Sequence, residues 1–271
     1  HEKRMLNGTF ARAPLDHFWH WLYDDPMLAW LGQRRWLEPE RVETQLRERI
    51  QEYPIGYAVL HQDLVGVEAN ANQEIIGYFN QHGDLFCPPV VEGVAVAWRT
   101  RWHPDGCLSR TPSEIAPGVF EVDLGSSGDE RFIGWGWHRQ EDVGATRWRW
   151  AGNYPRLGGD IVPDDGYLRA ELWLELPPAH YRMTLLAQAF QQMRNVQIEV
   201  NEVLLGGSVV IETEVLGEYS FDLPVDVLGN DGAVHVIIRY DGAVTPQEAG
   251  VGGDTRRLAI ALDSVRFEQV D

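Results

Sequence analysis

The second half of the chain alternates apolar and polar residues with a period of two. From Val119 onward, runs such as VFEVD, RFIGWGWH, TRWRWAG, YLRAELWLEL, HYRMTLLAQAF, NVQIEVNEVLL, EYSFDLP, AVHVIIRYD and RLAIALDSVRFEQV follow one another with turn residues between them. Successive side chains of a strand point to opposite faces, so Val196, Ile198 and Val200 share one face while Gln197 and Glu199 share the other. Each strand thus has one apolar and one wet face. Short strands of even spacing with this alternation predict an antiparallel sandwich or jelly roll over residues 119–271.

The first hundred residues have a different rhythm. Phe18, Leu22, Leu28 and Leu31 predict one or two short helices, and Val42, Leu46 and Ile50, four apart, predict an amphipathic helix over 40–52. The run IGYAVLHQD (55–63) reads as a buried strand, 70–82 as helix, and DLFCP and GVAVAWRT (93–100) as two further strands. Helices alternating with strands make 1–100 a small α/β segment. Between the two regions, 101–118 clusters Pro and Gly with no periodicity and is expected to be a linker. The expected class is α+β: a small α/β domain, a linker and a sandwich.

Composition narrows the partners. Of 271 residues 44% are hydrophobic and 24% charged, which excludes disorder and fibrous repeats. The net charge of -18 repels phosphate backbones, so nucleic acid is excluded as an expected partner. No stretch of 18 apolar residues is free of charge, so no membrane span is predicted. The chain opens on His1-Glu2-Lys3-Arg4 without an initiator methionine or leader, which is expected of a piece of something longer. Cys87 and Cys107 form either one bridge or two free thiols.

Several ordered blocks resemble a known arrangement. YRMTLLAQAF, MRNVQIEVNEVLLG, EYSFDLP and AVHVIIRYDGAVTPQEAGVGGDTRRLAIALDSVRFE resemble the C-terminal β-sandwich on many large bacterial membrane proteins of the GT-C glycosyltransferase type. FIGWGWHRQEDVGATRWRWAG is similar to the opening of that module, and KRMLNGTF and IGYAVLHQDLVG to the segment before it. Asn201-Glu202 stands where the module usually has an Asn-Gly hairpin, which leaves the turn type open. The resemblance implies an extracytoplasmic region, galactose-binding-like in fold, of a membrane-anchored chain handling lipid-linked sugars, with the membrane domain of the same chain as a partner.

The chemistry-bearing residues cluster around tryptophan. Trp135 and Trp137 lie two apart, as do Trp148 and Trp150, so that in strands each pair shares a face. The pairs serve either as sandwich core or as a stacking platform for pyranose rings. His138, Glu141 and Asp142 accompany them and would bind sugar hydroxyls, or a structural Ca²⁺ through carboxylate oxygens, or else form an ordinary solvated turn. Adjacent carboxylates point opposite ways on a strand and do not suit a glycosidase pair. Asp254 and Arg256 in a glycine-rich loop are expected to form a structural ion pair; the loop lacks the Gly-Lys-Ser/Thr ending of a P-loop. Asp160, Asp164 and Asp165 are weak candidates for a structural Ca²⁺, and no other cofactor is expected. His17, His20 and His61 lack any catalytic motif around them. The expected function is non-catalytic: binding or positioning glycan, against a purely structural sandwich or a secreted glycan hydrolase or lyase.

Overall fold

The computed structural model describes residues 44, 47, 48, 55–61, 76–92, 95–144, 146–153, 167–213, 215–228 and 232–270. A three-stranded antiparallel sheet comes first, formed by β1 (Tyr57–His61), β2 (Val90–Glu92) and β3 (Ala95–Arg99) in the order β1-β3-β2. Residues 44, 47, 48 and 76–81 are helical, in agreement with the apolar spacing there, and the helices expected over 14–32 lie outside the described residues. Phe79 on the second helix stacks on Trp98 of β3 at 4.8 Å and meets Phe86 edge-on at 4.7 Å.

Two antiparallel sheets follow, face to face. The larger contains β4 (Ser113–Ala116), β5 (Val119–Asp123), β6 (Gly136–Val143), β7 (Thr146–Asn153), β9 (Tyr181–Ala189), β13 (Gly217–Leu223) and β15 (Ile260–Gln269). Its order is β13-β9-β15-β5-β4. Along the edge of β15 away from β9, β7 pairs at Ala261 and Leu262 and β5 pairs from Ser264 to Glu268; β6 then pairs with β7. The smaller sheet has the order β11-β10-β14-β8, from β8 (Leu168–Glu175), β10 (Arg194–Val200), β11 (Val203–Leu204) and β14 (Ala233–Tyr240), with β12 (Val209–Ile211) also on β10. From β8 onward the chain passes repeatedly from one sheet to the other, so each crossing covers the apolar face just laid down.

The predicted alternation is realised as burial. In β8, Leu168, Ala170, Leu172 and Leu174 are buried, and in β10 Val196, Ile198 and Val200; both sets meet Val122, Leu185, Val265 and Phe267 in one continuous core. Removing this apolar surface from water is the main stabilising term of the sandwich.

The segment 101–118 differs from the expected linker. Its C-terminal part is β4, a strand of the large sheet. Its N-terminal part is stapled to the first, three-stranded sheet by a disulfide between Cys87 and Cys107, closing a separation of 20 residues; a loop of this size contributes about 3 kcal/mol on the chain-entropy account. Between them Arg110, only 3% exposed, donates from Nη2 to the carbonyls of Pro88 and Pro89 at 2.9 and 2.8 Å. Burial lowers the Arg110 pKa to about 10. Pro and Gly composition marks irregular backbone, and here that backbone is mostly exposed yet cross-linked by the disulfide and anchored at Arg110.

Candidate functional site

The four candidate tryptophans of the platform are buried: Trp135, Trp137, Trp148 and Trp150 are 8, 5, 9 and 6% exposed. A stacking platform requires an open indole face, so these rings correct that expectation and act as core. Trp135 and Trp137 also fail to share a face. Gly136 between them adopts φ 92, and a Cβ there would meet the Arg169 carbonyl oxygen at 2.2 Å. That left-handed residue resets the alternation that a regular strand would have carried through. Trp135 consequently joins Phe79, Phe86 and Trp98 of the first sheet, while Trp137 enters the sandwich core and donates from Nε1 to the Glu171 carbonyl at 2.8 Å.

Trp148 and Trp150 do share a face. Their rings meet edge-on at 5.7 Å and form a satellite cluster with Leu258 and Ala261, packed by Phe190 and Leu216.

The structure joins two sets of residues that sequence spacing kept apart. Glu141 accepts from Trp150 Nε1 at 3.1 Å and pairs with Arg256 Nη1. Arg256 Nη2 stands 2.6 Å from Asp254 Oδ2, and this hydrogen bond holds the Asp254 carboxyl below the usual range. His138 is bonded through Nε2 to the Arg257 carbonyl at 2.7 Å, and burial lowers its pKa. Together they tie the loop before β15 onto β6 and β7. Asp142 points away and pairs with Arg147 at 2.9 Å. Asp160, Asp164 and Asp165 lie outside the described residues, as do His17 and His20. Among the described residues no group of three or more His, Cys, Asp or Glu is arranged to hold a metal.

The large sheet carries a groove of about 500 Å³ on its outer face, lined by Glu121, Asp123, Thr146, Arg147, Thr184, Leu186, Glu218, Asp263, Ser264 and Arg266. Strand register builds its floor. One row across the sheet runs Glu218, Leu186, Ser264, Asp123, and the next runs Ser220, Thr184, Arg266, Glu121. Residues directly opposite on neighbouring strands face the same way, so these two rows form one surface. Four strands at the usual spacing make it about 14 Å wide, room for more than one pyranose ring. A register shift between Leu262 and Ser264 brings Asp263 into the lining beside Ser264.

The chemistry of this surface is hydroxyl, carboxylate and guanidinium. Thr184 Oγ1 bonds Ser220 Oγ at 3.0 Å, and Arg266 Nη2 approaches Glu218 Oε1 at 3.3 Å. Burial raises the Asp123 and Asp263 carboxyls, the first further through the charge of Asp129 and the second through that of Asp123. Arg147 works the other way on Asp123. These residues do not stand out in the sequence because most are ordinary polar members of alternating strands. Their only signal is the hydrophilic half of runs such as VFEVD and DSVRFE, which predicts a wet face and says nothing of its shape.

No family model matches the sequence, and no curated protein matches it. Some solved structures are similar to part of the chain at low identity. A GH26-CBM35 β-(1,4)-mannanase of Podospora anserina is 10% identical with a TM-score of 0.35, covering 58% of this chain and 28% of that one. A family 35 carbohydrate binding module from Clostridium thermocellum is 11% identical with a TM-score of 0.31, covering 55% of this chain and 98% of the module. The insecticidal delta-endotoxin Cry8Ea1 from Bacillus thuringiensis is 12% identical with a TM-score of 0.34, covering 65% and 27%. Likenesses of this size transfer neither a ligand nor a reaction to this chain.

Proposed function

We propose that this chain is a non-catalytic, extracytoplasmic accessory region that binds or positions glycan through the outer groove of its large sheet. The groove carries the proposal: a polar depression of about 500 Å³ whose two cross-strand rows offer hydroxyls, carboxylates and guanidiniums side by side. That mixture suits the alternating donor and acceptor hydroxyls of a sugar. The Cys87–Cys107 disulfide supports an oxidising compartment. The repeated crossings between sheets support a jelly-roll, galactose-binding-like arrangement. The membrane-anchored parent of GT-C type, with its lipid-linked sugar, rests on the sequence blocks described above.

A shallow polar groove without an exposed indole face gains only a few kcal/mol, so a dissociation constant of about 0.1–1 mM is expected. The test is calorimetric titration of the full chain with a panel of neutral and charged oligosaccharides, repeated with Ser264→Trp, which fills the groove floor from its solvent side. Loss of binding with an unchanged melting temperature supports the site. Binding that survives Ser264→Trp, or none at about 10 mM ligand, overturns it, and released reducing ends would make the chain a glycan hydrolase.

A second reading has its own observation. Trp135 of the sandwich lies in the core of the first sheet, and Arg110 and the disulfide hold the seam, which favours a scaffold that docks two units without touching sugar. The same titration separates the two.

A further inference from the structure

The charge of the groove is uneven, and the unevenness names a ligand class. Glu121, Asp123, Glu218 and Asp263 oppose Arg147 and Arg266, four carboxylates against two guanidiniums. Both guanidiniums already have carboxylate partners, Arg266 with Glu218 at 3.3 Å and Arg147 with Asp142 at 2.9 Å. Among the described residues no ion pair reaches Asp123, Asp263 or Glu121.

Asp123 and Asp263 sit next to each other because β5 and β15 pair antiparallel with Asp123 opposite Ser264, and because the bulge turns Asp263 toward the same surface. The Leu124 amide bonds the Asp263 carbonyl at 2.8 Å, which holds the two backbones at this point. Two like charges in a partly desolvated groove repel, and the charge of Asp123 raises the cost of ionising Asp263. Hydroxyls of a neutral sugar relieve that repulsion little. A cation placed between the carboxylates relieves it directly, and a polyanionic glycan adds to it.

We propose that the groove selects an amine-bearing glycan, a hexosamine oligomer whose amino group is not acetylated, with the ammonium held between Asp123 and Asp263 and the neighbouring hydroxyls on Ser264 and Arg266. The proposal rests on the groove being the glycan site. Glu121, two residues before Asp123 on β5 and opposite Arg266, lines the continuation of the same surface and would meet the next sugar of the chain. The overall charge of -18 draws the same ligands toward the protein from a distance, without choosing the groove.

The experiment titrates the full chain with glucosamine tetramer, N-acetylglucosamine tetramer and a tetramer of uronic acids, at about pH 6, below the usual amine range, in low salt. The free-amine tetramer is expected to bind about tenfold more tightly than the acetylated one, an advantage of the size that a partly exposed charge contact supplies. Asp263→Asn should bring that ratio close to one. Asp226→Asn, at an exposed acid outside the groove lining, should leave the ratio intact. Equal affinity for the two hexosamine tetramers, or tighter binding of the uronic acid tetramer, overturns the charge preference and leaves the glycan site standing. An equal loss in Asp263→Asn and Asp226→Asn also overturns it, because the general field would then be the cause. Failure of all three tetramers together with every other oligosaccharide overturns the glycan site itself.

Discussion

Arg149 and Asp129 form a two-point ion pair in the interior of the protein. Arg149 Nε and Nη2 reach the two carboxylate oxygens of Asp129 at 2.6 Å each, and the side chains are 9 and 0% exposed. The carboxylate also accepts from the Gly125 amide at 2.6 Å, and Arg149 Nη1 donates to the His138 carbonyl at 3.1 Å. A 3-10 turn at Asp129–Arg131 is thereby held against β7. Asp129→Ala leaves a buried guanidinium without its counter-charge and is expected to cost about 3–5 kcal/mol. Asp129→Ala combined with Arg149→Met removes both charges and should cost less than the single change. Denaturant titration of the two variants checks the order.

Truncating the buried indoles separates their roles. Trp148→Ala opens a cavity in the satellite cluster with Leu258 and Ala261 and is expected to lower stability by about 3–5 kcal/mol. Trp135→Ala removes the ring that the sandwich places among Phe79, Phe86 and Trp98, so it should loosen the seam and leave the main core intact. Limited proteolysis should then cut within 101–112 before the sandwich melts. Equal losses of melting temperature in both variants, without earlier cleavage, would argue against a separate seam.

The turn between β10 and β11 carries stored strain. Asn201 and Glu202 have φ 48 and 68, both in the left-handed region, as a two-residue hairpin with this twist demands. Asn201 is held by its side chain, which donates to the Val227 carbonyl at 2.9 Å and accepts from the His235 amide at 2.9 Å. Glu202 is exposed and pays a side-chain clash for the same geometry. Glu202→Gly should therefore raise stability by about 1 kcal/mol, read as an increase in melting temperature. A decrease would mean that the unfolded-chain entropy of glycine outweighs the relieved strain.

The groove carboxylates set a pH dependence of known sign. Asp123 and Asp263 titrate above the ordinary Asp value of 3.8 in the folded state. The folded protein then holds protons that the unfolded chain has released, so these two groups favour folding below 3.8 and oppose it as pH rises through their folded pKa values. Asp263→Asn should accordingly raise the melting temperature at neutral pH, with the gain shrinking as pH falls toward 3.8. A gain independent of pH would assign it to packing.

What was legible in the sequence was local. Val196, Ile198 and Val200 against Gln197 and Glu199 announce a half-buried strand because side-chain direction in extended backbone depends only on odd or even position. The spacing of Glu141 and Asp142 correctly foretells that they diverge, one to Arg256 and the other to Arg147. The same local rule failed at Trp135 and Trp137, where a single left-handed glycine inverts the alternation; the Arg169 backbone, 33 positions further along the chain, leaves no room there for a side chain.

By itself, then, the sequence determined that the second half would be strands with one apolar face and that its charge would repel polyanions, and it left Cys87 and Cys107 open between one bridge and two free thiols. Only the tertiary structure decided which wet faces would adjoin. Glu121, Thr184, Glu218 and Ser264 come from four strands scattered through the chain, and they line one groove because β13, β9, β15 and β5 are neighbours in the sheet. Strand order is set by how the apolar faces pack against one another across the whole molecule, a sum over long-range contacts that no local pattern contains.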